Sequence, residues 1–155
     1  MRVEVETRID APWTEVFAVV TDVRAWPSRL PAIGQVEVLT PGPVRVGTRF
    51  RETRRVFGRS ATEEMTVVEL VAPSRFVLGA ENHGTRYRVE HTLADTGDRR
   101  THLAVAFSGE PLTFGARLFA PLGWLMLRYV RLQIVGDVSA VKQACERGST
   151  DVHPG

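Results

Sequence analysis

Between Gly34 and Ser108 the chain repeats one pattern: short runs in which apolar and polar residues alternate, each closed by turn residues, with no helical period between them. The runs fall near Val36 to Thr40, Gly47 to Val56, Ser60 to Val71, Arg75 to Glu81, Thr85 to Leu93 and Thr101 to Ser108. The breaks carry "TPGP", "FGR", "APS", "NHG" and "DTGD". A period of two marks strands with one buried face, and consecutive strands joined by tight turns predict an antiparallel meander. Such a sheet must bury its apolar face against something, and the flanking segments supply it.

Val3, Val5, Thr7 and Ile9 alternate with Glu4, Glu6 and Arg8, which predicts a first strand. A helix signal follows: Asp10 as the capping acceptor, Pro12 in the first turn, and Trp13, Val16, Phe17 and Val20 at helical spacing. Pro27 and Pro31 turn "AWPSRLP" into a short helix or turn. A long helical pattern then spans about Leu112 to Arg147, with Leu127, Val130, Ile134, Val138, Val141 and Cys145 forming one stripe. The tail "GSTDVHPG" is expected to be disordered, leaving residues 1–147 as a single domain.

Hairpin registers follow from the pattern, because a one-residue slip sends every apolar side chain to the wrong face. For the last hairpin the expected pairs are Leu93 with Thr101, His91 with Leu103, Val89 with Val105 and Tyr87 with Phe107. A His83–Gly84 turn places Phe76, Leu78 and Ala80 opposite His91, Val89 and Tyr87, and Glu81 opposite Arg86. Both hairpins direct His91 inward. Pairing through "VFGR" sets Phe50, Glu52 and Arg54 beside Thr66, Glu64 and Thr62.

The chain's 155 residues, 43% hydrophobic and 25% charged, suit one globular domain. Of 20 basic residues only Lys142 is a lysine, and they interleave with 18 acids instead of forming a block, which argues against a nucleic-acid surface. "RFRETRR", Arg49 to Arg55, reads as a solvated strand face. Cys145 is the single cysteine, so an internal disulfide and a cysteine-rich zinc site are excluded. The histidines show no metal-ligand spacing, and glycine loops for phosphate or dinucleotide are absent, so neither metal nor cofactor is expected. "MRVEVETRID" alternates like a strand and does not read as a secretory signal, which predicts a cytoplasmic protein.

Three segments carry a resemblance: "IDAPWTEVFAVVTDVRAWPSRLP" (Ile9 to Pro31), "VGTRFRET" (Val46 to Thr53) and "VVELVAPSRFVL" (Val67 to Leu78). With the order of elements, they resemble the START-like helix-grip superfamily and, within it, the polyketide cyclase/dehydrase and lipid-transport family. The resemblance implies an α+β helix-grip fold, a curved antiparallel sheet wrapped around a long C-terminal helix, with two short helices after the first strand. It also implies a pocket for hydrophobic molecules such as lipids, sterols or polyketides. Trp26 and Pro27 match a segment whose role is structural, and no family catalytic residue is carried over. The fold hosts enzymes, carriers and interaction modules alike.

Within that frame the expected ligand wall comprises Phe50, Phe76 and Leu78 on the central strands, with Tyr87, Val89 and His91 on the next. Phe107 on the last strand, and Phe119 and Leu125 from the C-terminal segment, complete it. Tyr87 and His91 lie about 13 Å apart at about 3.3 Å per residue, too far for a direct dyad. Either is a wall residue of a pocket, a satisfied core residue, or a catalytic acid or base. Arg54, Glu64, Tyr87 and His91 are the candidates if the protein is an aromatase/cyclase-type enzyme. Glu52 and Glu64 beside Arg54 would titrate together, unless these charges simply pair in water at the pocket mouth. The apolar run "LFAPLGWLML", Leu118 to Leu127, is too short to span a bilayer and contains Pro121 and Gly123. It reads as a lid or core packing, as a dimer contact, or as a membrane contact, and both monomer and homodimer stay open.

Overall fold

All the expected strands form in the computed structural model, which describes residues 1–150. They are β1 (Arg2–Ile9), β2 (Ile33–Val38), β3 (Arg49–Val56), β4 (Arg59–Val71), β5 (Arg75–Asn82), β6 (Thr85–Gly97) and β7 (Arg100–Pro111). The helices are α1 (Trp13–Thr21), α2 (Trp26–Arg29), α3 (Phe114–Leu118) and α4 (Gly123–Thr150), with single 3-10 turns at Val23–Ala25 and Ala120–Leu122. The seven strands make one antiparallel sheet in the order β1-β7-β6-β5-β4-β3-β2, so that the first strand pairs with the last. Helix α4 packs on β1 and α1 and covers the inner face. This is the α+β helix-grip arrangement expected.

The closed end is built by apolar residues from every layer. Val16, Phe17 and Val20 of α1 meet Ile134, Val138, Val141 and Cys145 of α4 in one core cluster. Trp26 donates its indole N–H to the Val20 carbonyl at 3.2 Å and sets its ring edge-on to Phe50, centroids 5.7 Å apart. A buried indole needs such a partner, which is why Trp can occupy this position. Lys142 Nζ donates to the Arg8 carbonyl at 2.7 Å and to Glu146 Oε1 at 2.8 Å, tying the end of α4 to β1. Burial pushes the Cys145 thiol up to about 11, so it packs as a small apolar group.

Several local expectations are corrected. Pro12, not Asp10, occupies the cap position of α1, without a side-chain cap; Asp10 instead pairs with Arg100 at 3.2 Å. The C-terminal helical pattern is broken into α3 and α4, at the segment containing Pro121, which has no N–H to donate. Thr113 caps α3 by accepting from the Ala116 N–H at 3.2 Å. Helix α4 continues through Thr150, beyond the expected end at Arg147, while the rest of the expected tail, 151–155, lies outside the described residues.

The registers differ in an instructive way. The β5–β6 hairpin pairs as expected, Phe76 with His91, Leu78 with Val89, Ala80 with Tyr87 and Glu81 with Arg86. The β6–β7 hairpin is shifted by two, pairing Leu93 with Leu103, His91 with Val105 and Val89 with Phe107, because both strands run on to a turn at Asp98 and Arg99. An even shift keeps every face, so His91 still points inward. The β3–β4 hairpin is shifted by one: Phe50 pairs with Met65, Glu52 with Glu63 and Arg54 with Ala61. Its turn is the two-residue Phe57–Gly58, with φ of 51° and 76°, a tight hairpin geometry that an aromatic residue rarely adopts. An odd shift exchanges the faces of β4, which moves Glu63 in and Glu64 out.

Candidate functional site

A cavity of about 930 Å³ lies between the concave sheet and α4. Its volume falls in the range of small-molecule sites, roughly 300 to 1,000 Å³. Leu78, Val89, Val105 and Phe107 form the sheet wall, Val20, Trp26 and Leu30 the closed end, and Met126, Val130 and Ile134 the helix side. Period-two alternation on β5 to β7 and i, i+3, i+4 spacing on α4 bring these apolar positions to one lumen.

Of the residues expected at the site, Arg54, Leu78, Tyr87, Val89, His91, Phe107 and Phe119 line the cavity. Phe50 and Phe76 point inward but do not reach it. Both are fully buried, Phe50 against Trp26 and Phe76 against the His91 ring at 5.5 Å. Leu125 faces outward and is 66% exposed, since Met126, Tyr129, Val130 and Gln133 are the positions of α4 turned to the lumen. Glu64 sits on the outer face, where Arg49 Nε donates to it at 2.9 Å and Arg51 approaches at 3.8 Å. The one-residue shift of β4 accounts for its displacement. Arg51 also pairs with Glu37 at 3.6 Å, so the "RFRETRR" face is charge-compensated.

The polar pole is therefore built differently from the expected one. Arg54 donates from Nε to Glu52 and from its terminal guanidinium nitrogen to Asp137 Oδ2 at 3.1 Å and Gln133 Oε1 at 3.3 Å. Glu52 is only 3% exposed, and Glu63, directly across the strand pair, accepts from Asn82 Nδ2 at 3.0 Å. Burial would weaken the Arg54 guanidinium, but the charges of Glu52 and Asp137 and the hydrogen bonds they accept raise its pKa above the usual arginine value. Burial raises the Asp137 carboxyl, the Glu52 charge adds to this, and Arg54 only partly opposes it. Asp137, Gln133 and Glu63 were not anticipated. Asp137 follows Gln133 by four residues, beside the apolar Ile134, Val138 and Val141, so a polar pair flanking the apolar stripe was the available signal.

Tyr129 joins this pole to the β3–β4 turn. Its hydroxyl donates to the Arg55 carbonyl at 3.3 Å and accepts from the Phe57 N–H at 3.3 Å and Gln133 Nε2 at 3.2 Å, while its ring stacks on Phe57 with centroids 4.2 Å apart.

His91 sits on the sheet wall. Its Nδ1 is 3.2 Å from the Phe76 carbonyl, which can only accept, so Nδ1 carries the proton and Nε2 keeps a lone pair. Burial lowers its pKa to about 4, partly opposed by that hydrogen bond, so the ring is neutral near pH 7. The surface it retains is lumen surface, since it lines the cavity while lying deep in the protein. Tyr87 stacks on Phe107 at 5.6 Å and lines the same wall. The wall can thus offer an acceptor at His91 and a phenol at Tyr87, and β3 a guanidinium bracketed by acids from β3 and α4.

Fold and lumen together define a helix-grip protein with an internal cavity. The chain belongs to the polyketide cyclase/dehydrase and lipid transport family, whose model matches residues 1–146. Among solved structures, a Streptomyces aromatase/cyclase superposes with a TM-score of 0.75 at 20% identity, covering 95% of this chain and 94% of that one. A START superfamily protein from Mycobacterium smegmatis gives 0.74 at 14% identity, with coverage of 94% and 97%. Norcoclaurine synthase from Thalictrum flavum gives 0.71 at 13% identity, with coverage of 96% of each chain. At these identities the likeness is one of fold. No curated protein sequence matches the chain.

Proposed function

We propose that the protein binds a small hydrophobic molecule, lipid-like or aromatic and polyketide-like, in the cavity between the sheet and α4, with residues 1–147 acting as one ligand-binding unit. The observation that carries this reading is the cavity itself: about 930 Å³ of mostly apolar lumen with a few polar groups at fixed places. An apolar guest would lie along Leu78, Val89, Val105 and Phe107 and present its polar group to Arg54 or to His91 Nε2. Native mass spectrometry of freshly purified protein should retain an apolar molecule, and a neutral fluorophore such as N-phenylnaphthylamine should bind and be displaced by it. Val89→Trp, which fills the lumen, should abolish probe binding while Leu125→Ser leaves it intact. Equal binding by both variants would defeat the reading.

A second reading, an aromatase/cyclase-type enzyme, is favoured by one observation. Arg54, held between Glu52 and Asp137, and His91, with its Nε2 free, put a guanidinium and an acceptor on one lumen, groups suited to orienting a bound carbonyl compound and moving its protons. Arg54 would polarise the carbonyl, and Tyr87 would orient the ring. With a substrate in hand, unchanged turnover in both His91→Ala and Asp137→Asn would remove this reading and leave the carrier.

A further inference from the structure

The mouth of the cavity carries a cluster of exposed apolar side chains. Phe119, Leu122 and Met126 line the lumen and are also 63%, 62% and 45% exposed, so the opening passes through them. Around them Phe114, Leu118, Trp124 and Leu125 stand out from α3 and the first turns of α4, with no covering element among the described residues. Between Pro111 and Gly136 the chain carries Arg117, Arg128 and Arg131 and no Asp or Glu. All three arginines are exposed, and among the described residues none makes an ion pair. Arg128 lies 6.0 Å over the Trp124 ring, and Arg131 reaches only the Glu4 carbonyl, at 3.5 Å. The acids that flank this segment along the chain are Glu110 and Asp137, the latter engaged by Arg54, and Glu4 of β1 lies beside Arg131.

We infer that this mouth docks on an anionic lipid surface, with Phe114, Leu118, Trp124 and Leu125 inserted at headgroup level and Arg117, Arg128 and Arg131 on the phosphates. Exposed apolar groups rimmed by arginines are the composition of an interfacial membrane contact. Trp124 with Arg128 over its ring suits the headgroup layer, where amphipathic aromatic rings settle. Charge decides against a second copy of the chain. A two-fold contact brings the same patch to itself, and a segment with three arginines and no acid of its own repels its image. Docking there would join the lumen to the acyl region with no water crossed by an apolar guest. This inference goes beyond ligand binding and is tested separately from it.

The test is flotation of the full chain with phosphatidylcholine vesicles, alone or mixed about two to one with phosphatidylglycerol. Binding is expected to the mixed vesicles only, with a blue shift of tryptophan emission, and to weaken with salt. The double variant Leu118→Ser, Leu125→Ser should lose at least roughly tenfold in affinity with unchanged melting. Arg117→Gln and Arg128→Gln should each cost roughly fivefold. None of these residues lines the lumen, so N-phenylnaphthylamine binding should persist throughout and vesicle binding can fail alone. Equal binding to neutral and anionic vesicles, or full binding by the double variant, would overturn the inference. So would a dimer in light scattering that dissolves on Leu125→Ser while vesicles are ignored, which would assign the patch to a second copy.

Discussion

The two halves of α4 obey opposite rules. From Ile134 to Cys145 the inner stripe is buried against α1 and the sheet, and Lys142 and Glu146 fasten the outer edge to Arg8 of β1 and to the Asp10 N–H just beyond it. From Gly123 to Leu132 the same helix shows large apolar residues to solvent, Leu132 at 70% exposure and Trp124 at 63%. One half therefore works as a strut and the other as a roof over the cavity. The contrast shows that apolar composition alone does not report packing, since what a residue contributes depends on what lies across from it.

The largest expected effect breaks the strut. Val138→Asp places an unpaired carboxylate at a site 5% exposed and should cost about 4 kcal/mol or more, enough to abolish cooperative melting. Next comes a pH effect that shows whether the lumen wall is dry despite the open mouth. His91 has a folded pKa lowered from 6.5 to about 4, so its folded state binds fewer protons than the unfolded one. Its contribution is complete above pH 6.5 and is lost as the pH falls toward 4, up to roughly 3 kcal/mol. Denaturant titrations should show this slope in the natural sequence and not in His91→Gln. Truncation sharpens the strut and roof comparison further: Ile134→Ala should cost about 2 to 4 kcal/mol by thermal melting, whereas Leu132→Ala should stay within about 0.5 kcal/mol. The smallest effect falls at the junction. Tyr129→Phe removes the hydroxyl that joins α4 to the β3–β4 turn and should cost about 1 kcal/mol, with faster release of a bound fluorophore.

The sheet wall was legible because alternation and a two-residue His83–Gly84 turn leave one register for Phe76, Leu78, Val89 and His91. The β3–β4 wall was not, since Phe57 takes a positive φ that its residue type argues against, and the neighbouring strand slid by one. Arg54 and Glu52 could be foreseen as an inward pair, but Asp137 could not be matched to them, because no local pattern links β3 to a helix so far along the chain. The apolar run at Leu118 to Leu127 was visible, and its exposure was not, because hydropathy describes a side chain and not its neighbours.

The tight turn at Phe57–Gly58 reaches further than its size suggests. Drawing Arg59 into it, as in the pairing of Phe50 with Thr66, would present Thr62, Glu64 and Thr66 to the interior in place of Ala61, Glu63 and Met65. A loop edit at the periphery could thus retune the chamber's selectivity without altering any amino acid that now faces it, which makes this hairpin tip a natural handle for redesigning what the protein accepts.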